Sequence, residues 1–497
     1  MSRVLLSIDV GTSGVRAALF DERGNEVPGA QVRTPRSAAV SDFAELDPDH
    51  VVEEVINTTD RLLKASTAPI DVIAISAFWH SLLGVDSTGL PTTSLLTWAD
   101  TRAAQFAIDL RAHHNEQEIH ARTGCRFHPS YWPAKLLWLK HEQNEQFGNT
   151  RYWLGFAEYL CLRLFGESTT SVSTASATGL FNQRNCAWDW KLIDALGLAR
   201  DTFPEIKIQT NARLTTAFAS RWPALAEARL VTIVGDGAAN NIGAGCSTKD
   251  KIALMVGTSG AMRVVFAGEP PEKLPPGLWC YRASRERVVV GGALSNGGGL
   301  VQWLTESLNV EDDRDALEKV IAALEPDAHG LTVLPFWSGE RSTGWLADAR
   351  GGIFGLQQQT KPVEIVRAVL ESIAYRFASI ARELDEIAPN AMIAASGNAL
   401  RSSPVWLQIM ADVLGRPLLL GGAAEASSRG AALLALEAVG KIATIEEDQF
   451  AVDQVFEPDM ERHARYQQGL VRQEELYERL YDHKSTNKAT RAQNKTL

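Results

Sequence analysis

The run Val-Gly-Thr-Ser-Gly occurs twice, at Val10–Gly14 and at Val256–Gly260, 246 residues apart. Glycine lets a backbone turn tightly and approach a ligand with no Cβ in between. Successive amide N–H groups in such a turn point into one concavity, and the Thr and Ser hydroxyls add further donors. Two such turns facing each other could hold the phosphates of a nucleotide from both sides. One copy alone reads as an ordinary β-hairpin. Strand-like residues precede each copy, however, and a phenylalanine (Phe20, Phe266) lies six residues after each last glycine, so a duplicated unit is expected. The pattern Gly-x-x-x-x-Gly-Lys-[Ser/Thr] is absent, which excludes a P-loop. Gly-x-Ser-x-Gly is absent from both turns, which speaks against a serine hydrolase.

A second candidate lies in Leu230-Val231-Thr232-Ile233-Val234-Gly235-Asp236-Gly237-Ala238-Ala239-Asn240, a strand running into a turn and a small-residue helix. Open α/β sheets bind ligands at the carboxyl ends of their strands. A carboxylate at that edge can take the proton of a hydroxyl that attacks a γ-phosphate. Asp is also a favoured N-cap residue, and the residues alone fit both roles. Trp79-His80 and Trp98-Ala99-Asp100-Thr101-Arg102 are the third candidates. A tryptophan face suits the apolar side of a sugar, while His, Asp and Arg supply fixed polar contacts. Taken singly, Trp79 and Trp98 read as core residues. His113, His114 and His120 lie in a polar stretch and are expected on a solvated helix face. His141-Glu142 begins like a zinc-protease motif, but position 145 is Glu, so that chemistry is rejected.

The elements that must carry these residues alternate. Strand-like runs fall at Val4–Val10, Ala17–Phe20, Asp71–Ser76, Leu230–Val234, Ile252–Val256, Arg263–Phe266, Arg287–Val290, Leu331–Leu334, Met392–Ala395 and Leu418–Leu420. The clearest helix follows Thr360 and Pro362. Its apolar residues from Val366 to Ile387 recur every three or four positions, and Pro389 stops it. Strands interleaved with helices give an α/β class. Gly268–Gly277, with four prolines, is expected to be a surface excursion.

With 497 residues, 45% hydrophobic and 22% charged, the chain has the composition of a multidomain globular protein. Its 49 Lys and Arg against 60 Asp and Glu leave a net charge of −11, which argues against a nucleic-acid partner. The five cysteines are scattered with no Cys-x-x-Cys spacing, as in reduced thiols with no zinc site. Neither a signal peptide nor an apolar run of about 18 residues is found, so no membrane association and a cytoplasmic location are expected.

Together these residues resemble the FGGY carbohydrate kinases, members of the actin-like ATPase superfamily. Asp9–Arg16 is similar to the family's first phosphate motif and Val256–Gly260 to its second. Gly351-Gly352-Ile353-Phe354-Gly355-Leu356 followed by Glu364–Glu371 fits the carboxy-domain signature. Ser396-Gly397-Asn398-Ala399 through Trp406, Gln408, Ala411 and Asp412 resembles the adenosine motif. Tyr131–Leu139 is a looser match to the amino-domain signature. The resemblance implies two duplicated actin-like (ribonuclease H-like) domains with a catalytic cleft between them. The expected division is a sugar-binding domain at 1–233, a nucleotide-binding domain at 234–483 and a disordered basic tail at 484–497.

The resemblance further implies ATP and Mg²⁺ as cofactors and a small-molecule sugar or sugar acid as substrate; a homodimer is left open. It makes Asp236 the catalytic base, also touching substrate, and gives Asp9 the hydrated metal. Gly11, Thr12, Ser13, Arg16, Gly257, Thr258, Ser259, Gly298 and Gln302 correspond to nucleotide contacts, and Gly397, Asn398 and Ser403 to the adenosine site. Trp79, His80, Trp98, Asp100 and Arg102 correspond to the sugar site, expected to come mostly from the amino-terminal half. Ser338–Ser342 fits a further pattern near the cleft with either a binding or a structural role. Trp79-His80 stands where glycerol kinases carry Arg-Glu. The gluconate-type subgroup is the better match, with Arg102 able to pair with a sugar-acid carboxylate. Xylulose kinases, which share His80 and the Gly339-Glu340-Arg341 region, are the alternative. A non-catalytic actin-like sugar or nucleotide sensor is the reading from a different class.

Overall fold

The computed structural model describes residues 4–36, 44–65, 68–207, 210–308, 310, 313–423, 425–448 and 450–481. The tail at 484–497 lies outside the described residues. Two sheets organise the chain. In the first, the strands lie in the order Arg229–Gly235, Ile70–Ala77, Val4–Gly11, Gly14–Phe20, Glu26–Pro35. The first three run parallel and the last two join as antiparallel hairpins. The central strand Val4–Gly11 is buried along almost its whole length, which is why it reads as a near-continuous apolar run.

The second sheet has the order Trp279–Arg282, Arg287–Leu294, Gly260–Ala267, Lys251–Val256, Met392–Ser396, Leu418–Gly421, Val452–Phe456. Its middle five strands repeat the directions of the first sheet: two antiparallel steps on one side of Lys251–Val256, two parallel ones on the other. Each Val-Gly-Thr-Ser-Gly run joins the first two strands of its sheet. The duplication read from one pentapeptide is therefore a duplication of topology. The expected strand at Leu331–Leu334 forms at Thr332–Leu334 but pairs with Gly352–Phe354, outside the main sheet.

The long helix spans Pro362–Leu384, and the Lys361 N–H donates to Glu364 Oε2 at 2.7 Å at its start. Ile387 lies beyond the helix yet packs against the same core. Each half also carries a large insertion. In the first it separates Ile70–Ala77 from Arg229–Gly235, in the second Arg287–Leu294 from Met392–Ser396. Both insertions bring side chains to the cleft, Trp98 and Tyr131 from the first and Arg341 and Trp345 from the second.

The halves meet through equivalent helices, Asp236–Gly243 and Ala426–Ala438, each following the last parallel strand of its five-strand unit. They cross backbone on backbone. A Cβ on Gly243 would lie 1.8 Å from the Ala426 carbonyl oxygen, and one on Gly430 would lie 1.8 Å from that of Ala239. Only glycine allows this approach. His120, expected on a solvated face, is instead buried, with Nε2 donating to the Leu278 carbonyl at 2.8 Å. It closes the helix Glu116–Thr123 against the second half, and burial pushes its pKa down to about 4. The proline-rich excursion is held from the first half by Arg184 on Pro271 O at 2.8 Å and Arg126 on Pro276 O at 2.9 Å. Among the described residues, no helix is long and apolar enough to cross a membrane.

Candidate active site

The cleft between the halves contains two connected chambers. The larger, of about 1080 Å³, is lined by both Gly-Thr-Ser turns. The carbonyls of these turns are satisfied within the protein. Arg36 takes those of Gly11, at 2.8 Å, and Thr12, at 3.1 Å, through its side chain, and that of Ser13 through its backbone N–H at 2.9 Å. In the second turn, the N–H groups of Gly298 and Gly297 donate to Gly257 O and Thr258 O at 2.7 and 3.0 Å. The hydroxyls of Thr12, Ser13, Thr258 and Ser259 have no protein partner among the described residues, and all four residues line the chamber. The two copies differ in register. Gly11 pairs with Gly14 in the first, leaving a two-residue loop, whereas Val256 pairs with Gly260 in the second, leaving three.

Every residue expected to contact nucleotide lines this chamber: Gly11, Thr12, Ser13, Arg16, Gly257, Thr258, Ser259, Gly298, Gln302, Gly397, Asn398 and Ser403, together with Asp9. Gly397 has φ +91°, and a Cβ there would lie 2.3 Å from Val256 O, so the third motif is locked onto the second turn. Ser403 is partly committed to structure. Its Oγ accepts from the Trp406 N–H at 3.2 Å and donates to Glu318 at 2.5 Å. Asp9 is buried, with Oδ1 accepting from Ser76 at 2.8 Å and Oδ2 from Arg16 at 3.0 Å. Burial pushes its carboxyl up, against Arg16 and Ser76. Arg16 also pairs with Glu425 of the other half at 2.8 Å and so bridges the cleft.

The smaller chamber, about 150 Å³, contains Trp79, His80 and Trp98. It draws on both halves rather than mostly on the first, because Arg263, Trp279, Tyr281, Arg341 and Trp345 also form its wall. His80 follows the strand Ile70–Ala77 at φ +67°. Its Nδ1 lies 2.7 Å from the Ala177 carbonyl, which can only accept, so Nδ1 carries the proton. Burial pushes its pKa down to about 3, so the ring is neutral and Nε2 carries a free lone pair. Lys135 holds the neighbouring loops by donating to His80 O at 2.7 Å and Thr97 O at 2.8 Å. This gives the looser Tyr131–Leu139 motif a positioning role.

Asp100 and Arg102 stand outside the chamber wall. Arg102 donates to Asp100 and Glu45, each at 2.6 Å through Nη2, and lies over Trp138 at 4.5 Å. Its charge is spent within the protein. Ser338–Ser342 divides in the opposite sense. Glu340 is buried on Arg376 and Tyr477, while the adjacent Arg341 faces the small chamber.

Asp236 lines both chambers. Trp79 explains the glycines on either side of it. A Cβ on Gly235 would meet the indole at 1.8 Å and one on Gly237 at 2.5 Å, so the ring presses on the turn and leaves Asp236 at the junction. The carboxylate accepts the Gly237 N–H at 2.7 Å. Burial, with repulsion from Asp9 and against the pull of Arg263, pushes its pKa up to about 6. It is therefore ionised at neutral pH and more basic than an ordinary carboxylate. Sequence reasoning did not single out Arg263, Tyr131 or Tyr281 as chamber residues. Arg263 and Tyr281 belong to no short motif and Tyr131 only opens the looser one; they meet through folding, with the Tyr131 and Tyr281 hydroxyls 2.5 Å apart across the halves.

Comparison with known proteins decides the family. Residues 4–243 match the FGGY family of carbohydrate kinases, N-terminal domain, and residues 252–439 its C-terminal domain. The chain belongs to the FGGY family of carbohydrate kinases. It is a phosphotransferase of the actin-like ATPase fold. Similar to it is the gluconokinase of Bacillus subtilis (strain 168), 31% identical over 470 residues that cover 89% of each chain. The gluconate kinase structure from Lactobacillus acidophilus superposes with a TM-score of 0.87 at 28% identity, covering 97% of this chain and 98% of the other. The xylulose kinase structure from the same organism gives 0.86 at 28%, covering 96% and 98%. This FGGY kinase thus sits among relatives named for a sugar acid and for a ketose.

Proposed function

We propose that this FGGY kinase transfers the γ-phosphoryl group of ATP to a hydroxyl of an open-chain sugar acid, gluconate being favoured over xylulose. One observation carries this reading: Asp236 is shared by the chamber of hydroxyls and turns and the chamber of aromatic and charged side chains. The larger space is of a size to hold a nucleotide and the smaller a six-carbon chain. A hydroxyl placed at their junction loses its proton to Asp236 as its oxygen attacks phosphorus in line with the departing ADP. Thr12, Ser13, Thr258 and Ser259 donate to the phosphate oxygens from the two sides, and His80 Nε2 accepts from a substrate hydroxyl.

Mg²⁺ fits the large chamber. Its charged lining is Arg16, Arg33, Arg314 and Arg401 against Asp9, Asp236, Glu306, Glu318 and Glu425, so the wall supplies no net positive charge for a triphosphate. Both oxygens of Asp9 already have partners, which suits a water-mediated contact to a hard cation that takes few protein ligands. Bound there, the cation would neutralise phosphate charge. The interdomain contacts through Arg16–Glu425 and the crossed helices give the halves a common hinge, and closure over the substrates excludes water.

The assignment is tested by ADP release across a panel of sugars, polyols and sugar acids. Gluconate should be the strongest stimulant. Stimulation by xylulose alone would favour the ketose reading, and no stimulation at millimolar concentrations would favour a sensor.

A further inference from the structure

Five arginines are buried among the described residues: Arg263, Arg282, Arg287, Arg367 and Arg376. The last four each pair with a carboxylate, on Glu269, Glu437, Glu371 and Glu340 respectively. Arg263 is the exception. Its Nε and Nη2 have no hydrogen-bond partner, and its guanidinium enters no ion pair among the described residues. Burial pulls its pKa down to about 10, so it is still a cation at neutral pH. An uncompensated buried cation is strongly penalised. The fold nevertheless reserves a slot for this one. A Cβ on Gly291, opposite it in the sheet, would lie 2.6 Å from Arg263 Cγ, and one on Gly237, in the other half, would lie 2.3 Å from Nη1. Two glycines, one from each half, make room for the stem and the head.

The side chain lines the small chamber and not the large one, so its missing partner comes with the phosphoryl acceptor rather than with the nucleotide. The charged groups of that wall are Arg263 and Arg341 against Asp236. Asp236 acts on both guanidinium groups across space, with no ion pair to either. The chamber thus lacks an anion. Arg341 is less deeply buried than Arg263, donates to the Leu294 carbonyl at 3.0 Å and lies over the Trp98 ring at 4.6 Å. It also belongs to the region shared with xylulose kinases, whose substrate is a neutral ketose. Arg102 already has two carboxylates.

We propose that Arg263 takes the substrate carboxylate on the unused N–H groups of its guanidinium and so sets a preference for acids over neutral sugars. The inference rests on the sugar-acid kinase reading above. The slot between the two glycines fixes the side chain before substrate arrives, so little order is lost on binding. The carboxylate supplies the counter-ion that the other four buried arginines already have.

Gluconamide differs from gluconate in charge at a single group and provides the test. For the wild-type protein, kcat/KM for gluconate should exceed that for gluconamide about 100-fold, the scale of a charge-assisted bidentate contact. In Arg263→Met, which fills the slot without a charge, the ratio should fall to within about threefold of unity through loss on the acid alone. Its melting temperature should hold or rise, because an unpaired buried cation has been removed, and ADP binding should be unchanged. Arg263→Lys keeps the cation without the fork and should lose about tenfold of the ratio, which keeps the test open if Arg263→Met does not fold. Arg341→Gln should weaken acid and amide alike and leave the ratio near the wild-type value. Equal use of acid and amide by the wild type, or neglect of both in turnover and binding, would overturn the proposal. So would an unchanged ratio in a folded Arg263→Met, or an equal loss on both substrates, which would place Arg263 on the transferred phosphoryl group. Collapse of the ratio in Arg341→Gln alone would overturn it too. Turnover of neutral sugars alone would overturn it while leaving the kinase assignment standing. A protein that bound gluconate over gluconamide by calorimetry, lost that preference in Arg263→Met and phosphorylated neither would keep the role of Arg263 and lose the kinase reading.

Discussion

The two chambers of the cleft are built by opposite means. The larger is built from backbone turns and hydroxyls, each held within a single strand–turn–strand unit, and its charged side chains roughly cancel. The smaller is built from aromatic and charged side chains that six or more separate segments deliver from both halves. The difference follows from what each must recognise. A phosphate is met by many equivalent donors, and a repeated turn supplies them. A particular sugar is met by a few groups at fixed positions, which no short stretch of chain can supply. Asp236 is the point at which the two designs join.

Substitutions of residues that line one chamber should therefore separate the two, whereas Asp236 is an exception because it lines both. The exception carries the largest effect. Asp236→Asn should lower kcat by about 10³-fold, within the range expected on removing a general base. ADP binding should change by less than about threefold, and the melting temperature should hold or rise, because a buried charge repelled by Asp9 has been removed. Turnover within tenfold of the wild type would break the junction role. Next come paired changes on either side of the junction. Thr258 lines the large chamber alone, and Thr258→Ala should raise the KM for ATP about tenfold, the scale of a hydrogen bond to a charged group. His80→Ala should raise the KM for the sugar about tenfold. Each should leave the other substrate's KM nearly unchanged, and a crossed effect would show that the chambers are not independent. The smallest kinetic effect belongs to Arg102→Ala. Because Arg102 lies outside the wall, kcat/KM should stay within about threefold. Denaturant unfolding should lose about 2 kcal/mol, since the buried Asp100 is left without its counter-ion.

The same contrast decided what could be read from the sequence. The two Gly-Thr-Ser turns were legible because they are consecutive residues whose types, Gly and small hydroxyls, are dictated by close backbone approach. The turn around Asp236 was legible for a related reason: its flanking glycines make room for the Trp79 indole and, at Gly237, for the Arg263 guanidinium. Asp100 and Arg102 looked like binding residues because their types suit a sugar acid, yet they satisfy each other and Glu45. Nothing in a linear sequence tells a spent charge from a free one. Arg341 had a motif around it, but its neighbour Glu340 accounts for that motif structurally through Arg376 and Tyr477. The carboxy-domain signature proved structural in a similar way. Glu371 accepts from Arg367 Nε at 2.5 Å and His329 Nε2 at 3.0 Å, a buried network that ties the long helix to the surrounding core. Tyr131 and Tyr281 meet across 150 positions of chain, and Arg263 acts on Asp236 from a strand of the second sheet, so only the folded molecule reveals them.

The central claim is that one carboxylate, made more basic by burial between the chambers, removes the proton from the substrate hydroxyl. Only its ionised form can do so, so activity must fall as the pH falls through its pKa. The most direct test is the pH dependence of kcat/KM for gluconate, which reports the free enzyme. The account predicts an acid limb with an apparent pKa near 6, set by Asp236, and loss of that limb from the residual activity of Asp236→Asn. An acid limb near the ordinary carboxylate value of about 4, or one that survives the substitution, would contradict it.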